Sequence, residues 1–241
     1  MRVPFKKQVH GSQKWLQIAV NEHSDDFNRA VRRVCGLDES EPIIWLSPLR
    51  EDEYAEYRDD TWLRRLSIEL PKGSLKDFWP PRGPQWDGFG RTRSGKVILL
   101  EAKANIPEIV SSACQASDAS KLLIKKSLRE VQKFLRVDSA IDWSGKLYQF
   151  TNRIAHLYLL REVNGIPAYL VSVYFVGDKQ VSGPESVAEW QAALMVAKGV
   201  LGLGKRHRLS EHMADVFIEV AKLSPDFSRM FKTGLFGGAS S

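Results

Sequence analysis

The stretch Trp86-Asp87-Gly88-Phe89-Gly90-Arg91-Thr92-Arg93-Ser94-Gly95-Lys96-Val97-Ile98-Leu99-Leu100-Glu101-Ala102-Lys103 decides how this chain is read. It divides into two strand-like runs, Trp86 to Thr92 and Lys96 to Lys103, around Arg93-Ser94-Gly95, a turn-forming triplet that predicts a hairpin. Val97 to Leu100 is an unbroken apolar run, typical of a strand covered on both faces. Side chains alternate along a strand, so Glu101 and Lys103 leave its end on the same side. Asp87 lies across the turn, on the preceding strand. Two acids and a lysine thus converge on neighbouring strands, one of them buried.

That combination suits phosphodiester hydrolysis. The reaction calls for a hard cation that polarises the phosphoryl group and generates hydroxide from bound water. Mg²⁺ takes oxygen ligands, usually one or two carboxylates with waters and substrate phosphate. A lysine beside the carboxylates orients the attacking water or offsets the charge that builds in the transition state.

Trp86-Asp87 followed by Glu101-Ala102-Lys103, with the apolar lead-in Val97 to Leu100, resembles the PD-(D/E)xK nuclease superfamily. The resemblance spans about Ser12 to Val176. It implies an α/β, restriction-endonuclease-like αβββαβ core with a mixed central sheet flanked by helices. It also implies a Mg²⁺-dependent nuclease (Mn²⁺ substituting) acting on nucleic acid, with DNA the expected substrate. Asp87 and Glu101 would be catalytic metal ligands and Lys103 the catalytic cation. Trp86 stands where the family name has proline. Members often carry a further Glu on the first core helix, and Glu22 is the candidate for it by position. Gln115 matches a place where members point a polar residue at substrate, although a solvated glutamine reads equally well. Members often dimerise, and neither a homodimer nor a partner protein is fixed by this sequence. The alternative is a non-catalytic nucleic-acid-binding or interaction module that retains the fold.

Outward from the hairpin, Ser12 is a fitting N-cap for a helix over about Gln13 to Val34, with Gly36 as its stop. Ile43 to Leu46 is a short apolar patch, and the charged stretch Arg50 to Arg65 predicts a short solvated helix. Pro80, Pro81 and Pro84 keep Phe78 to Gly90 from being a helix interior. Pro107 opens a helical region running to about Val137. Its apolar stripe is Ile124, Leu128, Val131 and Leu135, beside the basic row Lys121, Lys125, Arg129 and Lys133. Ile154 to Leu160 and Ala168 to Val176 are expected as strands, joined by a hairpin at Asn164-Gly165. Helices are expected over Glu185 to Val200 and Ser210 to Leu223. The division that follows is a nuclease-like core over 1–180 and a C-terminal helical extension over 181–241.

The chain has 241 residues, 43% hydrophobic and 27% charged, a globular composition. No run approaches the ~20 apolar residues of a membrane span. The basic opening MRVPFKKQVHGSQKW has no apolar secretory segment, and Cys35 and Cys114 have no metal-ligand spacing, so buried reduced thiols and a cytoplasmic setting are expected. The net charge of +6 favours polyanions. The row Lys121, Lys125, Arg129, Lys133 and the glycine-flanked Lys205-Arg206-His207-Arg208 are candidate phosphate contacts, with a solvated helix face the competing reading for the first. His207 and His212 lack H-E-x-x-H spacing, and no GxxxxGK[ST] element exists, which sets aside zincin and nucleotide-motor chemistry.

Overall fold

The hairpin forms the middle of a larger sheet. In this computed structural model, which describes residues 1–4, 8 and 10–224, the chain begins with β1 (Arg2–Val3), α1 (Gly11–Asn21), α2 (Ser24–Cys35), β2 (Ile43–Ser47), β3 (Glu56–Tyr57), α3 (Thr61–Leu66) and α4 (Leu75–Phe78). The hairpin strands β4 (Gly88–Thr92) and β5 (Val97–Lys103) follow, then α5 (Asp118–Leu135), α6 (Tyr148–Tyr158) and β6 (Ala168–Val176). Last come α7 (Val187–Val200), β7 (Met213–Glu219) and α8 (Val220–Leu223).

Five strands lie in the order β2-β4-β5-β6-β7. The pairs β2·β4 and β4·β5 are antiparallel, while β5·β6 and β6·β7 are parallel. The protein is therefore α/β, with a mixed five-stranded sheet flanked by helices. β1 and β3 make a separate two-stranded ribbon. Sequence alternation sorts β5 between two cores: Ile98, Leu100 and Ala102 pack on the side of α1, α2 and α8, and Val97 and Leu99 on the side of α3, α5, α6 and α7. Glu101 and Lys103 share the second side. β2 crosses β4 so closely that a Cβ at Gly90 would stand 2.6 Å from the Ile44 carbonyl oxygen, which is why glycine sits there.

Several expected elements differ. The first helix is two: α1 ends at Asn21, and α2 starts anew at Ser24 with Asp25 and Asp26 favourably placed in its first turn. Gly36 ends α2 as expected. Arg50 to Arg65 holds a 3₁₀ turn, β3 and α3 rather than one helix. The helical region after Pro107 is a 3₁₀ turn over Ile106–Ile109, an irregular link, and then α5, which Ser117 caps through its hydroxyl.

Two segments change type. Ile154 to Leu160 is helical, part of α6 and a π-helical turn over Leu159–Val163. A short apolar run buried all round cannot be told from a strand by periodicity. Asn164-Gly165 accordingly ends a helix instead of turning a hairpin: Gly165, at φ 69°, donates to Arg161 O and Ile166 to Leu160 O. Met213 to Glu219, expected as helix, is the fifth strand, because pairing with β6 outweighs local preference. Residues after 181 thus contribute a strand to the sheet as well as helices, so the C-terminal part is not a purely helical extension. Cys35 is buried, while Cys114 is only half-buried. Among the described residues no helix is long and apolar enough to cross a membrane.

Candidate functional site

Asp87 occupies the bend just before β4. The β4·β5 ladder ends at Gly88 opposite Leu100, and one step further the Asp87 side chain takes over: its Oδ2 accepts from the Ala102 N–H at 2.8 Å. Glu101 is 7% exposed. Its Oε1 accepts from Lys103 Nζ and its Oε2 from Arg153 Nε, each at 2.5 Å. The sequence-predicted trio Asp87, Glu101 and Lys103 is therefore brought together at the end of β5.

Other elements complete the cluster. From α6, Gln149 accepts from Lys103 Nζ at 3.1 Å. Arg153 also donates to Gln85 O at 2.6 Å and lies 4.6 Å over the Trp86 ring. From β3, buried Glu56 accepts from Gln85 Nε2 at 2.5 Å and from Gln13 Nε2, on α1, at 2.8 Å. A cavity of about 20 Å³ beside Glu101, Lys103, Gln149, Ser172 and Tyr174 has room for one water.

The charges are unequally matched. Burial, and then repulsion from Glu101, pushes the Asp87 carboxyl well above the usual carboxylate range. Burial acts on Glu101 in the same direction, but Arg153 and Lys103 outweigh it and hold Glu101 below its ordinary value. Lys103 is pulled down by burial and lifted further by Glu101 and Asp87, ending above its ordinary value. Glu56 is raised, by burial first, with Glu101 adding repulsion against the bonds from Gln85 and Gln13. Three acids face two cations.

That imbalance bears on Mg²⁺. Asp87 and Glu101 supply hard oxygen donors of the right kind, and added positive charge would let Asp87 ionise. Glu101 would have to share an oxygen with Lys103 or Arg153 to act as a ligand. Among the described residues no group of three or more His, Cys, Asp or Glu side chains stands ready to hold an ion. The fit is one of charge and donor type.

The remaining candidates lie elsewhere. Glu22 caps the end of α1 and pairs with Arg50 at 2.5 Å, not with the cluster. The acid that does reach the cluster electrostatically is Glu56. Apart from these candidates, Glu108 accepts from Ala104 N and Asn105 Nδ2 and closes the turn after β5. Gln115 is exposed in the link before α5, off any helix. Lys121, half-buried, pairs with Asp118 at 3.7 Å, and Lys125 is exposed. Lys205, Arg206 and Arg208 are exposed on the link before β7, and Arg208 lies 5.0 Å over Phe134 of α5. No hydrogen bond or ion pair among the described residues joins these six to the carboxylate cluster.

Gln149, Arg153, Glu56 and Gln85 were not anticipated. Reading 154–160 as a strand hid the signal for the first two: Gln149, Asn152, Arg153 and His156 recur at helical spacing and give α6 one polar stripe in an apolar setting. Compared with protein-family models, curated proteins and solved structures, the chain matches none.

Proposed function

We propose that this protein is a metal-dependent nuclease with a restriction-endonuclease-like core, hydrolysing phosphodiester bonds in nucleic acid, with DNA the expected substrate. The observation that carries the reading is the meeting of Asp87, Glu101 and Lys103 at the end of a buried strand, where three acids share two cations. An antiparallel β2-β4-β5 set followed by helices and parallel β6 also supports it.

Asp87 and Glu101 would hold Mg²⁺ or Mn²⁺, which when bound polarises a phosphoryl oxygen and acidifies its water. Lys103 stays protonated between the two acids and offers N–H donors to an attacking water or a phosphoryl oxygen. Arg153 holds Glu101 in one orientation and blocks its protonation. Gln149 fixes the Lys103 ammonium from the other side. The net charge of +6 draws a polyanion toward the protein.

The test is nicking of plasmid and cleavage of single-stranded DNA with Mg²⁺ or Mn²⁺. Wild type should cut, and Asp87→Asn, Glu101→Gln and Lys103→Ala should lose at least ~100-fold in rate. Equal residual activity in wild type and Lys103→Ala sinks the proposal. One observation favours a second reading, a non-catalytic nucleic-acid-binding module: both Glu101 oxygens are already engaged by cations. It predicts salt-sensitive DNA binding that survives Asp87→Asn and Glu101→Gln, with no cleavage by wild type.

A further inference from the structure

Helix α7 turns a mostly apolar face to solvent. Of its exposed residues only Glu189 and Gln191 are polar, while Met195, Val196 and Val200 are 68%, 68% and 61% exposed. Among the described residues ten large hydrophobic side chains are exposed; four stand on α7, and two more, Ile106 and Val110, lie on or directly after the 3₁₀ turn packed against it. They form a patch rather than a scatter, and such a patch marks a contact site. We propose that this face of α7 is the interface of a two-fold homodimer, in which α7 packs antiparallel on the α7 of a second copy.

Three features name a second copy as the occupant. The first is a self-complementary spacing. Ala188, Ala192, Met195 and Gly199 follow one another at steps of four, three and four residues, the spacing of a seam between two helices. The middle of this stripe, between Ala192 and Met195, is also the middle of Val187–Val200. A two-fold axis there sets Met195 of each copy against Ala192 of the other, and Ala188 against Gly199, so the one long side chain of the stripe meets a small one.

The second is Gly199. Glycine inside a helix costs about 1 kcal/mol relative to alanine, and a Cβ at this position would meet nothing within 4 Å in its own chain. Nothing inside the molecule calls for a glycine here, whereas the close approach of another backbone does.

The third is charge. Exposed Glu185 and Glu189 stand at the start of α7, and exposed Lys205 and Arg206 follow its end. Antiparallel packing brings the acidic end of each copy beside the basic end of the other, while parallel packing would set like ends together. Area sets the strength. One face of a helix about 21 Å long is smaller than the ~800 Å² per partner of a standard interface, so the dimer should be reversible, with a Kd on the order of 10 μM.

The test is sedimentation equilibrium of the full chain over roughly 1 to 200 μM, with the folding of each variant checked by circular dichroism. Wild type should pass from monomer to dimer. Met195→Lys sets a charge into both halves of the seam and should weaken the dimer at least ~10-fold. Gly199→Leu fills space that is open in the monomer and should weaken it likewise; it carries the test if Met195→Lys fails to fold. Leu122→Lys, at a 73% exposed position on α5, should change nothing. Ala192→Glu alone should also dissociate the dimer, and mixing it with Met195→Lys should restore a heterodimer, because the two new charges then meet across the axis. Wild type that stays monomeric, a dimer that survives Met195→Lys or Gly199→Leu, equal weakening by Leu122→Lys, or no heterodimer in the mixture overturns the proposal. None of these readouts involves cleavage, so they succeed or fail apart from the nuclease reading.

Discussion

Replacing Arg153 by methionine keeps an unbranched stem and removes the cation from Oε2 of Glu101. The side chains of this pair are 4% and 9% exposed. Breaking such a pair from one side costs about 3–5 kcal/mol: Lys103 stays on Oε1, but Oε2 is left buried without its cation. The lost contact over the Trp86 ring and the orphaned Gln85 carbonyl act in the same direction. In a chain of this size each kcal/mol moves Tm by ~2–4 °C, so Arg153→Met should melt roughly 6–20 °C below wild type by scanning calorimetry. Adding Glu101→Gln removes the charge that Arg153 compensates, and the double variant should be more stable than the sum of the two single losses. If Asp87 and Glu101 also hold a divalent cation, saturating Mg²⁺ should return part of the loss, about 2.7 kcal/mol at 100 times Kd. A loss below ~1 kcal/mol, or strict additivity in the double variant, would refute the argument that Glu101 is a buried, ionised group held by Arg153.

Three more outcomes follow from the geometry. Burial holds the His156 imidazole down at about 3 against 6.5 when free, so between those values the unfolded chain binds a proton that the native protein refuses. Wild type should therefore lose stability relative to His156→Phe as pH falls below 6.5, by about 2 kcal/mol at pH 5 in denaturant titrations, and equal pH slopes would count against it. Glu22→Ala breaks only a surface pair with Arg50 and should cost no more than ~1 kcal/mol, with cleavage unchanged; a cleavage defect would return Glu22 to the site. Gly90→Ala drives a Cβ to within 2.6 Å of the Ile44 carbonyl oxygen and should destabilise by about 1–3 kcal/mol, read from the urea midpoint.

The ease of reading different parts of this chain tracked how local their causes are. The β4–β5 hairpin was legible because turn residues, an apolar run and a period-two triplet all lie within 18 residues of one another, Trp86 to Lys103. The termination of α2 at Gly36 and the helix over Val187–Val200 were legible for the same reason. Met213 to Glu219 was not: Ala214, Val216 and Ile218 carry an apolar face that suits either element, and the open edge of β6 made it a strand.

By itself, the sequence determined that Glu101 and Lys103 leave one strand on the same side and that Asp87 stands across the turn from them. Only the tertiary structure decided what surrounds that trio. Arg153 reaches Glu101 across 52 positions, and Glu56 enters through Gln13 and Gln85 rather than Glu22 from the helix end. A buried carboxylate must be compensated by whichever charges the packing brings within reach. No local pattern records which ones those are.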